Sequence, residues 1–303
     1  MSKILPPIYI AGPTASGKSA LASKFDSVII SADSMQIYRT LDIGTAKEDI
    51  SIREKIPHKL IDVVDPNEEF SVAEFARLAK TEIENAQNSG KLPIIVGGTG
   101  LYFEALLYPM SFANTNKNDV LRESLQQELQ NFGAHAMHQK LESLDPQTAN
   151  RLHENDTKRV IRALEIVLST GKTLEQNQDE RQKPDVIMVA LNTDRDVLYE
   201  RINKRVDKMF DEGLVQEVLS VGDFSYQSMQ AIGYKEFLGV LDGTLTEPEA
   251  IELVKLRSRQ YAKRQLTWLR RNPAIHWIFW EKDRDFARAL QISTEILSAS
   301  GLG

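Results

Sequence analysis

The chain has 303 residues, 42% of them apolar, no cysteine and a net charge of −6. That is enough apolar material for one large or two modest cores. The missing cysteines exclude disulfides, a thiol nucleophile and cysteine-based zinc or iron–sulfur sites.

No stretch is long and apolar enough to span a bilayer. Met1-Ser2-Lys3 leads into Ile4-Leu5-Pro6-Pro7 without the apolar segment of a signal peptide. A cytoplasmic protein with no membrane partner is expected. Of the histidines only His135 and His138 lie close together, at a spacing that reads as a helix surface rather than a metal site.

Ile8-Tyr9-Ile10-Ala11 reads as a buried strand running into Gly12-Pro13-Thr14-Ala15-Ser16-Gly17-Lys18-Ser19, the G-x-x-x-x-G-K-[ST] pattern of a P-loop, followed by helix-compatible residues. Its glycines let successive N–H groups face one concavity, and the helix start adds to the attraction for anionic oxygens. Lys18 supplies a mobile positive charge, and the Ser19 hydroxyl suits a Mg²⁺ ion bridging the same phosphates. The whole of Gly12 to Ser19 is therefore a candidate diphosphate or triphosphate site.

Val28-Ile29-Ile30 predicts a second parallel strand ending at Asp33. In open α/β sheets, ligands sit off the carboxyl ends of strands, so Asp33 is expected beside the phosphates; an ordinary turn residue is the plainer reading. Residues Leu41 to Pro66 read as irregular loop. Ser71-Val72-Ala73-Glu74 is a capping box opening a helix that Gly90 stops. Pro93 to Val96 is a further strand, and Gly97-Gly98-Thr99-Gly100 leads into another helix. Thr99 is a candidate ligand contact, a glycine turn being the alternative.

From Pro109 to about Pro184 the strand signals vanish, with helical patterns at Val120 to Leu129 and Thr157 to Ser169. Asp156 and Gly171 are placed to cap the second helix. Lys158, Arg159 and Arg162 near its start oppose the favourable dipole arrangement, which suggests a partner, although such clusters are often simply solvated. Val186 to Leu191 returns to the sheet, and Asp194 opens a helix ending near Gly213. Arg201, Lys204, Arg205 and Lys208 lie on one side of it; if that helix starts at the carboxyl end of its strand, an arginine could fold back over the phosphate site, plain surface charge being the alternative. Seven basic and no acidic residues lie between Lys255 and Arg271, a candidate phosphate-contacting face on an acidic protein. Ile275, Trp277 and Phe279 alternate like a last strand, with a terminal helix from Asp283 to Ser298.

Several separated motifs agree with one family. With the P-loop, the segments Ser31-Ala32-Asp33-Ser34-Met35-Gln36, Asp42-Ile43-Gly44-Thr45-Ala46-Lys47, Val96 to Tyr102, Asn155-Asp156 through Ala163, Ile232-Gly233-Tyr234-Lys235 and Lys263 to Arg270 make the chain resemble the tRNA dimethylallyltransferases. The resemblance implies an α/β fold: a P-loop NTPase-like parallel sheet flanked by helices (residues 1–108 and 185–303) with an all-helical insertion domain (109–184) contacting tRNA. It also implies transfer of a dimethylallyl group from dimethylallyl diphosphate to N6 of the adenosine 3′ to the anticodon, by a monomer using Mg²⁺.

In this reading the P-loop holds the donor diphosphate, with Thr14, Lys18 and Arg205 stabilising the leaving pyrophosphate. Asp33, ionised at an ordinary aspartate pKa of about 3.9, takes the N6 proton. The family's tRNA contacts carry over to Asp33, Ser34, Met35, Gln36, Thr99, Arg122, Lys158, Arg159, Val160, Ile161, Arg162 and the run Gln230, Ala231, Ile232, Gly233, Tyr234 and Lys235. Three departures stand out: a short segment between the P-loop and Val28, Lys59 where a histidine is common, and Phe75-Ala76 without a usual arginine. Relatives with a zinc-finger extension exist, and a cysteine-free chain is expected to lack it.

The competing readings are an isopentenyltransferase acting on free adenine nucleotides, a P-loop small-molecule kinase and a non-catalytic RNA-binding module. The helical insertion with its basic helix favours a macromolecular acceptor.

Overall fold

The computed structural model describes residues 5–108, 119–173, 186–273, 275–280 and 285–299. The chain divides into two compact units, residues 1–107 with 183–303 and residues 108–182. The expected domain limits at 109, 184 and 185, and the expected start of the last helix at Asp283, lie outside the described residues.

The larger unit holds a six-stranded parallel sheet of β1 (Ile8–Ala11), β2 (Ser27–Ala32), β3 (His58–Lys59), β4 (Leu92–Gly97), β5 (Ile187–Thr193) and β6 (Ile275–Trp280), in spatial order β3-β2-β4-β1-β5-β6. Helices α1 (Lys18–Ala22), α2 (Ile50–Lys55), α3 (Val72–Asn88) and α4 (Gly100–Leu107) precede the smaller unit. That unit is built from α5 (Asp119–Leu144), α6 (Pro146–Arg151) and α7 (Thr157–Thr170). The chain then adds α8 (Arg195–Asp211), α9 (Leu214–Val221), α10 (Leu238–Leu241), α11 (Glu247–Leu269) and α12 (Phe286–Ala299).

The central strands are continuous apolar runs because both sheet faces are covered. Ile8, Ile10, Ile29, Ile94, Val96, Val189 and Leu191 share one core with Leu21 and Trp280. Register does the functional work. Ala11 pairs with Gly97 and with Ala190, and Ala32 also pairs with Gly97. Three strands therefore end level, and Gly12, Asp33 and Gly98 emerge together at the carboxyl edge of the sheet.

Three expectations need correcting. Residues 41–66 contain α2 and the two-residue β3; α2 buries none of its residues, so it left no amphipathic signal. The last strand exists, but Ile275, Ile278 and Trp280 are its buried residues while Phe279 is 64% exposed, as an edge strand with one sided cover allows. The helical unit exceeds its predicted two helices: α5 runs on through a break at Gly133 (φ 81°, ψ 173°), and α6 follows.

The helical unit has its own core around Leu125, Met137, Leu141, Val160 and Leu164. Its close histidines make structural bonds: His135 pairs with Glu154 at 2.7 Å, and His138 donates from Nε2 to the Ala149 and Leu152 carbonyls at 3.0 and 2.9 Å. Gly171 ends α7 in the left-handed region (φ 68°), whereas the Asp156 carboxylate lies 3.3 Å from Arg159 instead of capping the helix. Among the described residues, no helix is long and apolar enough to cross a membrane.

Candidate active site

The P-loop leaves β1, passes Ala15 at φ 62° and enters α1 through Gly17 at φ 92°, a conformation that glycine adopts without a Cβ penalty. Ala15 packs against Leu198 and Ile202 of α8 and Ala262 of α11, which fixes the loop from outside the sheet. Lys18 Nζ donates to the Pro13 carbonyl at 2.8 Å, Thr14 N–H to Gln265 Oε1 at 2.9 Å, and the Trp280 indole to the Ser16 carbonyl at 2.8 Å. Helix α1 has only five residues, so loop N–H groups and Lys18 outweigh a helix dipole in attracting anions here.

Two cavities open at this edge. One, of about 300 Å³, runs along the P-loop and is lined by Thr14, Ala15, Gly17, Lys18 and Ser19 among others. Gly12, Pro13 and Ser16 lie buried beneath it. The other, of about 290 Å³, has apolar walls from Met35, Ile202, Val206, Met209 and Val254. Thr14, Asp33, Thr45, Ala46, Arg205 and Tyr261 line both. Arg205 does reach the P-loop: its Nη1 lies 3.4 Å from Thr14 Oγ1.

Asp33 follows the last residue of β2 and is half-buried at this partition. Its Oδ1 accepts from the Met35 N–H at 2.9 Å. Burial pushes its carboxyl above the usual aspartate range, against the pull of the Met35 N–H, the Lys18 charge and the Gln36 N–H. The ordinary pKa expected from sequence is thereby corrected: desolvation dominates. Ser34 N–H donates to Thr99 Oγ1 at 3.1 Å, tying the Asp33 segment to the glycine loop after β4. Gln36 accepts from Ser31 Oγ at 2.9 Å and reaches the Thr45 and Ala46 carbonyls at 3.3 Å.

The Asp42 to Lys47 loop forms a shared lip of both cavities and is held by two carboxylate clusters. Glu217 of α9 accepts the N–H groups of Asp42, Ile43 and Gly44 at 2.6, 2.8 and 2.9 Å, and the Tyr234 hydroxyl at 2.5 Å. Lys47, 1% exposed, lies between Asp42 and Asp62 at 2.7 and 2.5 Å. Burial alone would raise the Asp62 pKa, but Lys47 and Arg53 hold it below the usual range.

A family model described as IPP transferase matches residues 36–272. A tRNA dimethylallyltransferase of Bacillus subtilis is 45% identical over 282 residues, covering 90% of each chain, and one of Acetivibrio thermocellus is 46% identical, covering 89% of this chain and 90% of the other. The chain belongs to the IPP transferase family. Among solved structures, a tRNA isopentenylpyrophosphate transferase from Bacillus halodurans is similar with a TM-score of 0.72 at 39% identity, covering 99% of this chain and 98% of that one. A eukaryotic dimethylallyltransferase acting on tRNA has a TM-score of 0.82 at 31% identity, covering 96% and 79%.

In this IPP transferase the residues singled out from sequence fall into distinct places. Ser34, Met35, Gln230, Ala231, Ile232 and Lys235 line the apolar cavity, and Gln36 the P-loop cavity. Gly233 and Tyr234 are buried behind the wall. Tyr234 is fully covered, and a Cβ on Gly44 would clash with its ring. Lys158 and Arg159 are exposed on α7 of the helical unit. Val160 and Ile161, 0% and 8% exposed, are core residues of the helical unit. Arg122 and Arg162 lie 2.8 and 3.0 Å from the buried Glu165.

The basic run of α11 is not one free face. Lys255 pairs with Asp207 and Glu252 at 2.6 and 2.9 Å, Arg259 donates to Asn203 at 2.6 Å, and Arg264 lies 5.7 Å over the Tyr261 ring. Tyr261 and Gln265 were missed as site residues. A signal existed: Val254, Ser258, Tyr261 and Gln265 follow the spacing of one helical face, and that face lines the two cavities.

Proposed function

We propose that this chain transfers the dimethylallyl group of dimethylallyl diphosphate to N6 of the adenosine 3′-adjacent to the anticodon in tRNA, releasing pyrophosphate. One observation carries the proposal. In a member of the IPP transferase family, a phosphate-binding loop and an apolar-walled cavity meet at Thr14, Asp33 and Arg205. A donor diphosphate on the P-loop directs its allylic carbon to that partition, and a base turned out of the anticodon stack enters from the other side.

The N6 lone pair forms the new N–C bond as the allylic C–O bond breaks, and the electron pair leaves with pyrophosphate. Charge grows on the leaving oxygens, where loop N–H groups, Lys18 and Arg205 stabilise it. N6 turns acidic as it is alkylated, and Asp33 takes its proton. A raised pKa brings this carboxylate closer to the operating pH, which suits a general base.

The donor set fits Mg²⁺. Ser19, Ser31, Gln36 and Glu48 all line the P-loop cavity and offer oxygens, hard ligands of the kind that ion prefers while keeping waters and diphosphate oxygens. Bound there through Ser19, it would neutralise diphosphate charge. The helical unit, with Lys158, Arg159, Arg122 and Arg162, is the proposed contact for the anticodon stem, supported by its exposed cations.

The test is transfer of labelled dimethylallyl groups to unmodified anticodon stem-loop RNA and to AMP, side by side. Label in the stem-loop alone is the expected result. Label in AMP alone overturns the acceptor, and ATP hydrolysis without transfer hands the P-loop to a kinase.

A further inference from the structure

Gln265 of α11 is 6% exposed, and its amide sits between the two glycine loops of the site. Its Oε1 accepts the Thr14 N–H at 2.9 Å and its Nε2 donates to the Gly98 carbonyl at 3.0 Å. The partners force this orientation, since a main-chain N–H can only donate and a carbonyl can only accept. A Cβ on residue 98 would clash with Nε2, so the amide occupies the space that the glycine leaves. The Tyr261 hydroxyl, one helical turn earlier, interacts with both the Gln265 and Thr99 side chains. Thr99 Oγ1 accepts the Ser34 N–H at 3.1 Å.

These contacts form one chain: Thr14, Gln265, Tyr261, Thr99, Ser34. Its first member meets Arg205 at the donor cavity, and its last adjoins Asp33. We infer that Gln265, relayed through Tyr261, is a positioning residue that sets the spacing between the leaving-group contact Thr14 and the base Asp33. This inference rests on the transfer reaction proposed above. Gln265 itself touches no reacting atom in this scheme. It holds the two ends of an in-line displacement in register, where an error of about 1 Å can cost about a hundredfold in rate.

The experiment first establishes that the wild-type enzyme labels stem-loop RNA; failure there sinks the reaction and not the role of Gln265. Rates at saturating donor and RNA are then measured for Gln265→Leu, Gln265→Glu and Tyr261→Phe. Gln265→Leu should lower kcat about a hundredfold and Tyr261→Phe about tenfold, with KM for either substrate moving far less.

Gln265→Glu carries the sharper readout. Protonated glutamic acid reproduces the amide, with C=O toward Thr14 N–H and O–H toward Gly98 C=O, whereas the carboxylate sets an oxygen against that carbonyl. The ratio of Gln265→Glu to wild-type kcat should therefore rise as pH falls. The titratable or charged groups sharing its cavity, Lys18, Asp33, Glu48, His58, Arg205 and Tyr261, are present in both enzymes and cancel in that ratio to first order. Should Gln265→Leu fail to fold, Tyr261→Phe and the pH ratio decide. A pH-independent ratio, or kcat within about twofold of wild type in Tyr261→Phe, a change small against the tenfold expected of lost positioning, overturns the inference.

Discussion

Asp33 in the sheet unit and Glu165 in the helical unit are both carboxylates withdrawn from water, yet their protons respond in opposite directions. Burial raises Asp33, which is pulled the other way only by the Met35 and Gln36 N–H groups and the Lys18 charge. Glu165, with no exposed side-chain area, suffers the same desolvation but is held below the usual range by Arg122 and Arg162. Burial sets the tension, and the partner decides which way it resolves. A carboxylate left under tension is available to take a proton, and one neutralised by two guanidinium groups is a fastening.

Asp33→Asn should break the contrast most visibly. It keeps the Oδ1 bond to Met35 and removes the proposed base, so single-turnover transfer should fall by at least about a hundredfold while stem-loop affinity in a filter-binding assay is retained. Its thermal stability should equal or exceed wild type, because a desolvated charge is gone. A next, smaller effect is expected from Lys18→Ala. Losing a charge-assisted contact should weaken allylic diphosphate binding roughly tenfold to a hundredfold by calorimetry, and unchanged affinity would detach the P-loop from donor binding. The same substitution removes a cation that lowers Asp33, so the acid limb of the rate profile should move to higher pH.

Glu165→Gln should leave saturated transfer intact and cost the helical unit roughly 1–3 kcal/mol in denaturant unfolding. The smallest effect is in the pH dependence of stability. Glu165 has a depressed folded pKa, so its contribution is present above the unfolded value of about 4.3 and is lost as pH falls through the folded one. Asp33 has a raised folded pKa, so its ionisation lowers stability as pH rises from the unfolded toward the folded value. The two single variants should therefore change the slope of the acid stability curve in opposite senses, Glu165→Gln making it less positive and Asp33→Asn more positive.

Much of this was legible in the sequence where chemistry and local pattern coincide. The P-loop, Asp33 at the end of β2 and the glycine loop after β4 were placed by strand-ending motifs, because a parallel sheet delivers such residues to one edge. The start of α8 left open whether one of its arginines folds back over the P-loop, and only the family resemblance pointed to Arg205, whose Nη1 lies 3.4 Å from Thr14 Oγ1. What was hidden depends on partners remote in the chain. Tyr234 and Glu217 look like ordinary surface-compatible residues until the loop they clamp is folded against them. Lys255 reads as part of a basic face, and only the approach of α8 turns it into a strut to Asp207. The raised pKa of Asp33 likewise comes from crowding by several segments, which no local pattern encodes.

The Trp280 indole bonded to the Ser16 carbonyl spans 264 residues, and the Gln265 amide bonded to Thr14 spans 251. The P-loop motif thus receives these supports only after a further 251 to 264 residues have been made. Until then a nascent chain carries the phosphate-loop sequence without these tethers, and at about 5–20 residues per second that interval lasts tens of seconds. Completion of the donor site is in this sense a late event of translation, a built-in delay before the enzyme can engage its substrates.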